Sequence, residues 1–360
     1  VSYGPSGYTF FRLNMIKSFF FNVLLILGSL AIFTLMLEGG VRLAQAFDLV
    51  PVLDKKSLSV LGSTSEEHSA KLVVSKNAVL ALEYDVNDPQ INRFGMRDRP
   101  YELSASQGVS RIVAMGDSVT FGLGVALENT YSKKLELALN REAPAGQSFQ
   151  VMNFGVSGYS TDSELELFQL KARLFKPDVV VVGYAMNDPI HTSSLALAAA
   201  ATIKKDNDFE NLAKKSQLLA WAKMNWIKAR SGLNAMSVYE PFYAIESERW
   251  TSVVESMKSF KLLAQDDGFH LVVVVFPVLY DFEDYPFEGY RQQVLQLLNE
   301  LDIDYIDLLD PYSEFRADEF RVMPNDSWHP NEFGHKIAAD KLQSYLEDAG
   351  LLVDKNETVK

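Results

Sequence analysis

The sequence predicts an α/β protein whose core is a doubly wound parallel sheet of five strands. Two observations predict this class. Five short apolar runs recur between residues 111 and 309, and segments with the apolar spacing of a helix lie between them. Strands that alternate with helices form a parallel sheet covered on both faces, and such a sheet binds its ligand outside the carboxyl ends of its strands.

The strands and helices follow one another in a regular order. The predicted strands are RIVAMGDS (111–118), FQVMNFGV (149–156), PDVVVVGYAMND (177–188), HLVVVVFPV (270–278) and DYIDLL (304–309). The predicted helices are NTYSKKLELALN (129–140), TDSELELFQLKARLF (161–175) and YRQQVLQLLNELD (290–302). The unbroken valine run of the third strand is typical of a strand that is buried on both faces of the sheet.

Residues 18–37 form a stretch of 20 residues without a charge. A helix of that length spans about 30 Å, the thickness of the hydrocarbon core of a bilayer, so the stretch predicts one transmembrane helix. A buried core helix is the alternative, but the scattered Ser, Asn, Gly and Thr residues do not form a polar face. Residues 1–17 are then a short N-terminal leader, and residues 38–100 are a juxtamembrane stalk.

The small residues Ala44 and Ala46 leave a second interpretation of this region, a signal peptide that is cleaved after them. This site lies well past residue 37, with Glu38 and Arg42 in between, so we expect an uncleaved anchor. In both cases the large C-terminal part is exported. We therefore expect a membrane-anchored protein whose main domain is extracytoplasmic, either periplasmic or extracellular.

The composition excludes several classes of partner and site. The net charge of -13 predicts no binding to nucleic acid, because the surface would repel phosphates. The chain has no cysteine, which excludes disulfides, thiolate metal ligands and cysteine nucleophiles. The five histidines do not have a zinc-binding spacing such as HExxH, so we expect no metal and no cofactor.

The first predicted strand ends in Gly-Asp-Ser and continues into a glycine-rich turn, AMGDSVTFGLGV (114–125). One interpretation is an ordinary helix start, because Asp and Ser cap helices well. The other is an exposed nucleophile, since Ser118 ends a strand where such sheets carry their chemistry. A serine nucleophile also requires a base, an acid that orients the base, and donors for an oxyanion. Asp326 lies three residues before His329, a spacing that lets the carboxylate hold one imidazole nitrogen while the other accepts a proton.

With these motifs the chain resembles the SGNH hydrolases, also called GDSL esterases and lipases. The resemblance rests on four blocks in the family's order, GDSV, NFGVSGYS, AMND and DSWH. It implies a flavodoxin-like three-layer α/β/α sandwich with Ser118 as nucleophile, His329 as base and Asp326 as the acid that orients it. It also implies an oxyanion hole formed by the backbone N–H groups of Ser118 and Gly158 and by the side-chain amide of Asn187.

The resemblance covers about residues 110–345, and we expect the hydrolase domain over residues 101–350, followed by a tail at 351–360. Two positions depart from the family pattern. Val119 stands where the family has leucine, and Ala185 stands where it has glycine. We expect the additional methyl group of Ala185 to narrow the acyl pocket and to favour small acyl groups.

Residues 189–260 are longer than a simple crossover between two strands. Leu218, Trp221, Met224 and Trp226 have near-helical spacing, which predicts a packed crossover helix. A lid or an acceptor-binding cap over the site is the alternative function of this insertion.

Three further polar residues lie close to the motifs. We expect Asp117 to cap a helix rather than to act as a second catalytic acid. We expect His335 to be a structural histidine, because it lies further into the C-terminal helix than His329. For His191 we expect a surface position, with a place in the cleft as the alternative.

Taken together, these features predict a serine esterase that cleaves carboxylic (O-acyl) esters of a carbohydrate or a lipid through an acyl-serine intermediate. Two alternatives stay open. One is an O-acetyltransferase or deacetylase that acts on cell-envelope or exported polysaccharide, because the sequence does not distinguish water from a sugar hydroxyl as acceptor. The other is a non-catalytic carbohydrate-binding or assembly protein on the same fold, against which the complete set of site residues weighs.

Overall fold

The computed structural model describes five stretches of the chain, residues 5–47, 68–190, 215–219, 239–324 and 326–352. The chain divides into two compact units. One comprises Val1–Leu58 together with Lys205–Arg230, and the other comprises Ser59–Lys204 together with Ser231–Lys360.

The first unit contains one long helix, α1 (Pro5–Ala46). Its stretch Lys17–Ala44 is long and apolar enough to cross a membrane, and no part of its apolar window is buried among the residues that the structure describes. Leu24 and Leu35, for example, are each 71% exposed. The helix extends beyond the predicted span of residues 18–37 on both sides and continues through Gly39 and Gly40.

The second unit contains all the described strands: β1 (Leu72–Val74), β2 (Leu82–Tyr84), β3 (Val109–Gly116), β4 (Ser148–Gly155), β5 (Val179–Ala185), β6 (His270–Phe276) and β7 (Asp304–Asp307). Strands β1 and β2 form an antiparallel hairpin. The other five form one parallel sheet in the order β4-β3-β5-β6-β7. The predicted fold class is therefore confirmed, and so are the five predicted strands.

The helices of this unit are α2 (Ser118–Phe121), α3 (Tyr131–Glu142), α4 (Thr161–Leu170), α5 (Glu248–Asp267), α6 (Glu288–Glu300), α7 (Leu309–Tyr312) and α8 (Glu332–Asp348). The chain moves in one direction across the sheet from β3 to β4 and in the opposite direction afterwards. Right-handed crossovers therefore place α3 on one face and α4, α5 and α6 on the other. Helix α8 packs on α3, and α5 packs on α4, which completes the three layers.

The core lies on both faces of the sheet. Every residue of β5 is buried, and in β6 every residue after His270 is buried. This two-sided burial explains why these strands have continuous valine runs instead of alternating apolar and polar residues.

Residues 68–100, predicted as part of a stalk, belong to the second unit. Leu80, Tyr84, Ile91 and Met96 are buried in the same hydrophobic core as the sheet. The start of the domain therefore moves from residue 101 back to at least His68, since these apolar side chains are removed from water only by packing on the domain.

The predicted insertion at residues 189–260 is described in part. Helix α5 makes the crossover between β5 and β6 and begins within this insertion, at Glu248. Trp221, Met224 and Trp226 lie outside the described residues, so the helix expected there stays a prediction. Of the predicted tail at 351–360, the first two residues are described, and both pack against the core.

Three glycines lie side by side near the carboxyl ends of β4, β3 and β5. Gly116 is in register with Gly155 on one side and with Gly183 on the other. A Cβ atom at Gly155 would lie 2.1 Å from the backbone nitrogen of Phe121, and one at Gly183 would lie 2.4 Å from Thr120 Oγ1. Helix α2 therefore rests directly on the strand ends, where a side chain would displace it.

We predict that Gly155→Ala destabilises the protein by about 1–3 kcal/mol or more, because its new methyl group meets fixed backbone rather than a flexible side chain. Gly289→Ala is the matched control, since Gly289 lies in α6 with no atom within 4 Å of the added Cβ. It is expected to be neutral or to stabilise by up to about 1 kcal/mol. Urea unfolding of the full-length protein in detergent measures both; equal stability of the two variants would contradict the close approach.

Candidate active site

Ser118 is the first residue of α2, and Asp117 alone separates it from the end of β3. Asp117 precedes the helix, and its Oδ1 accepts a hydrogen bond from the Val119 N–H at 2.8 Å, which caps the helix. Asp117 and Val119 are buried, whereas Ser118 is half-buried. The Gly-Asp-Ser motif is thus a capped helix start, and that start presents the serine at the carboxyl edge of the sheet.

Arg97 holds the chain just after Ser118. Its guanidinium donates hydrogen bonds to the backbone oxygens of Phe121, Gly122 and Val125, at 3.1, 2.8 and 2.8 Å. Arg97 is 2% exposed, and this burial lowers its pKa. Its role was not predicted, because a turn-rich polar stretch contains no local signal of burial.

His329 links Ser118 to Asp326. Its Nε2 lies 2.9 Å from Ser118 Oγ, and its Nδ1 lies 2.8 Å from Asp326 Oδ2. An ionised carboxylate only accepts hydrogen bonds, so Nδ1 carries the proton and donates it to Asp326. Nε2 is then free to accept the hydrogen bond of the serine hydroxyl.

The segment that carries the imidazole is held by its own carboxylate. Asp326 Oδ1 accepts hydrogen bonds from the backbone N–H groups of Trp328, at 2.9 Å, and His329, at 3.1 Å. The His329 carbonyl in turn accepts from the Val322 N–H at 3.1 Å. One carboxylate thus fixes both the backbone and the ring orientation of the histidine.

The electrostatics favour a positive charge on this imidazole. Burial opposes the charged form of His329, but the hydrogen bond and charge of Asp326, with a further attraction from Asp117, outweigh it and raise the pKa. For Asp326, burial opposes the charge, but the hydrogen bonds from His329 and from two backbone N–H groups lower the pKa. The pair is therefore set to stabilise an imidazolium beside a carboxylate.

The other predicted site residues follow the two strands that flank β3. Gly158 comes shortly after β4, and Asn187 comes shortly after β5, so both reach the same edge as Ser118. Each is half-buried. Within the described part of the chain, the backbone N–H groups of Ser118 and Gly158 have no hydrogen-bond partner. Gly158 has a φ of +81° and open space around it, so its backbone conformation accounts for the glycine.

The side-chain amide of Asn187 is held by Asp117. Asn187 Nδ2 donates a hydrogen bond to Asp117 Oδ2 at 2.8 Å, which leaves the second N–H of the amide for another acceptor. Burial raises the pKa of Asp117, although the hydrogen bonds from Asn187 and Val119 and the attraction of His329 oppose that rise.

Two buried carboxyl groups near Asp117 were not predicted. Asp188 accepts hydrogen bonds from the Ala185 N–H and from Thr161 Oγ1, whereas neither carboxyl oxygen of Glu164 has a partner among the described residues. Burial and repulsion between these carboxyl groups raise the pKa of both well above the usual range. A signal for Glu164 existed, because it lies on the same face of α4 as the buried Leu167.

The two remaining histidines of the prediction differ in outcome. His335 is fully buried in α8, where its Nδ1 accepts the Tyr131 N–H at 3.2 Å and its ring stacks on that tyrosine. Burial lowers the pKa of His335 to about 3. His191 lies outside the described residues.

This arrangement can activate a hydroxyl and can offer N–H donors to a developing negative charge. A neutral imidazole takes the serine proton, and uncommitted donors at the same sheet edge stabilise an oxyanion. Where the structure describes the chain, no group of three or more His, Asp or Glu side chains is placed to hold a metal ion.

Comparison with known protein families gives a match over the part of the chain that contains Ser118 and His329. A family model described as the GDSL-like lipase/acylhydrolase family matches residues 114–337, more than half of the chain. No curated protein matches the sequence.

The fold is also similar to that of several solved structures. One is the acetyl xylan esterase AlAXEase, with 16% sequence identity and a TM-score of 0.42 over 66% of this chain and 99% of that chain. Another is TesA, with 14% sequence identity and a TM-score of 0.43 over 68% of this chain and 100% of that chain. A third is Axe2, an acetylxylan esterase from Geobacillus stearothermophilus, with 15% sequence identity and a TM-score of 0.43 over 69% of this chain and 100% of that chain.

We predict that the pKa values of the two buried histidines, His329 and His335, are shifted in opposite directions from the ordinary histidine pKa of ~6.5. The pKa of His329 lies above this value because of Asp326, and that of His335 lies near 3 because of burial. In Asp326→Asn the pKa of His329 falls, since burial then dominates, while that of His335 stays unchanged. NMR titration of the imidazole Cε1–H signals measures both; a His329 pKa that does not respond to this substitution would contradict the pairing.

Proposed function

The chain belongs to the GDSL-like lipase/acylhydrolase family, and we propose that it is a serine esterase that cleaves carboxylic (O-acyl) esters through an acyl-Ser118 intermediate. The observation that carries the proposal is the chain of hydrogen bonds from Ser118 through His329 to Asp326, at 2.9 and 2.8 Å. These distances are those at which a histidine acts as the general base of a serine nucleophile.

In the acylation step, Ser118 Oγ attacks the ester carbonyl while His329 Nε2 takes the hydroxyl proton. Asp326 keeps the imidazole in the tautomer that can accept this proton and stabilises the imidazolium that forms. His329 then gives the proton to the departing alcohol oxygen, which leaves Ser118 acylated. In deacylation, water attacks the acyl carbonyl while the same imidazole takes its proton. The imidazolium then returns this proton to Ser118 Oγ as the bond to the acyl group breaks and the carboxylic acid leaves.

We assign the oxyanion of each tetrahedral intermediate to three donors, the backbone N–H groups of Ser118 and Gly158 and the Asn187 amide. The proposal is supported by their position at the ends of β3, β4 and β5 and by the uncommitted state of both backbone N–H groups among the described residues. Loss of one such donor typically lowers the rate by about 10²–10³.

We propose a small acyl group on a carbohydrate as the preferred substrate. Ala185 is buried at the end of β5, two residues before Asn187, and we expect its methyl group to narrow the acyl pocket. The net charge of -13 does not favour approach to an anionic lipid surface. Transfer of the acyl group to a sugar hydroxyl, rather than to water, uses the same acyl-serine and differs only in the acceptor.

We further propose that α1 is a retained membrane anchor rather than a cleaved signal sequence. Glu38 of this helix accepts hydrogen bonds from Ser216 Oγ and from the N–H groups of Gln217 and Leu218, at 2.8, 3.0 and 2.9 Å. Cleavage after Ala46 would remove this acceptor from a later part of the folded chain. We propose that the anchored domain lies outside the cytoplasm.

We predict that the full-length protein in detergent hydrolyses p-nitrophenyl esters and that Ser118→Ala lowers this activity by about 10⁴-fold or more, because no other group replaces the nucleophile. Ser313→Ala, on an exposed serine, is the control and keeps the activity. Acetyl esters are expected to react faster than decanoyl esters. Equal activity in Ser118→Ala and wild type would exclude the acyl-serine mechanism, and turnover that requires an added sugar acceptor would indicate a transferase.

We predict that the native protein stays in the membrane pellet after carbonate extraction and that its intact mass includes α1. The physical reason is the apolar stretch Lys17–Ala44, whose side chains the protein itself leaves uncovered. N-terminal sequencing of the mature chain checks the same point. A mature N-terminus at or beyond Phe47 would show instead that the helix is a cleaved signal.

A further inference from the structure

Two hydrogen bonds to the side chain of Asp117 come from Val119 and Asn187, and the second donor is a group assigned to the reaction. Asp117 Oδ1 accepts the Val119 N–H, and its Oδ2 accepts one N–H of the Asn187 amide, both at 2.8 Å. We propose that Asp117 is a positioning residue that aims the second N–H of Asn187 at the acyl oxygen of the substrate. This inference rests on the esterase function proposed above.

The contact decides which end of the Asn187 amide faces the substrate. An asparagine amide has a donor end and an acceptor end of nearly the same shape, so packing alone does not distinguish its two orientations. A carboxylate only accepts hydrogen bonds and therefore selects the NH₂ end. With one N–H held by Asp117, the geometry of the amide fixes the direction of the other.

Asp117 can do this because it is itself held in place. Asp117 is 1% exposed, and it is the residue immediately before α2. There its Oδ1 accepts the hydrogen bond from the Val119 N–H. The helix cap and the amide contact thus use opposite oxygens of one carboxylate. Asp117, which caps α2 after β3, thereby orients the side-chain amide of Asn187, which follows β5.

Asp117→Asn tests the idea because it changes hydrogen-bonding capacity with little change in shape. An asparagine at this position has one acceptor oxygen for two donors, and the backbone donor of Val119 is fixed in direction. The oxygen stays with Val119, and the new NH₂ group faces Asn187. The Asn187 amide must then turn its oxygen toward Asn at 117, which points a lone pair instead of an N–H at the acyl oxygen.

The experiment is a double-mutant cycle on the full-length protein in detergent, with Asp117→Asn, Asn187→Ala and the double variant. Two rates are measured, hydrolysis of p-nitrophenyl acetate and covalent labelling by a fluorophosphonate. In the labelling reaction Ser118 Oγ attacks phosphorus, its proton passes to His329 Nε2 and fluoride leaves. The phosphoryl oxygen occupies the position of the acyl oxygen. Ser247→Ala removes the side-chain cap of α5. It is the control for a variant that loses stability without a change at the site.

We expect each single variant to label about 10²–10³-fold more slowly than wild type. We expect the double variant to be no slower than the slower single one, because Asp117 acts through Asn187. Ser247→Ala is expected to melt at a lower temperature and to label at the wild-type rate. Losses that multiply in the double variant, or a wild-type rate in Asp117→Asn, would overturn the proposal.

A second readout separates positioning from general damage to the site. Asp117 contributes to the raised pKa of His329, so Asp117→Asn shifts the acid limb of the labelling rate to lower pH, and Asn187→Ala leaves it in place. If the acid limb of the labelling rate does not move in Asp117→Asn, the result counts against an ionised carboxylate at Asp117. If wild type labels but hydrolyses no ester faster than Ser118→Ala, the esterase proposal fails, while the labelling cycle still decides the role of Asp117.

Discussion

The position of Ser118, the proposed nucleophile, depends on the close approach of α2 to three glycines that lie side by side in the sheet. Gly116, Gly155 and Gly183 are in register, and the helix uses the space that their missing side chains leave. Asn153 of β4 then donates to the Thr120 carbonyl at 2.9 Å, a bond that this approach makes possible. Parallel pairing brings the ends of β4, β3 and β5 to one edge, and the glycines let the serine turn rest directly on that edge.

The site concentrates buried carboxyl groups around a single imidazole. Asp326 and Asp117 both favour the charged form of His329, which is the form that the proposed mechanism produces when Ser118 gives up its proton. Burying Glu164, whose carboxyl oxygens have no partner within the described residues, costs stability, since a buried polar group without a hydrogen bond loses its hydration without replacement. The three donors that we propose for the oxyanion, two backbone N–H groups and an amide, are neutral.

The segment before the sheet is part of the same structure rather than a spacer. Its hairpin β1-β2 carries Tyr84, whose hydroxyl contacts both the Oγ and the N–H of Ser157, next to Gly158. Arg97, at the other end of the segment, holds the carbonyls after Ser118. One stretch of chain thus supports two of the loops that carry the assigned oxyanion donors, and it covers part of the core at the same time.

The sequence by itself determined the class of the fold and the identity of the residues that meet at the sheet edge. The run Val179–Val182 is apolar throughout because β5 is covered on both faces, and such a run is visible without any knowledge of neighbours. Ser118 and His329 were recognisable because their chemistry requires particular residue types in a particular order. Tertiary structure alone decided that Arg97 is buried and that the Glu164 carboxyl has no hydrogen-bond partner among the described residues. The burial of a polar side chain depends on groups from distant parts of the chain, and local periodicity does not record those groups.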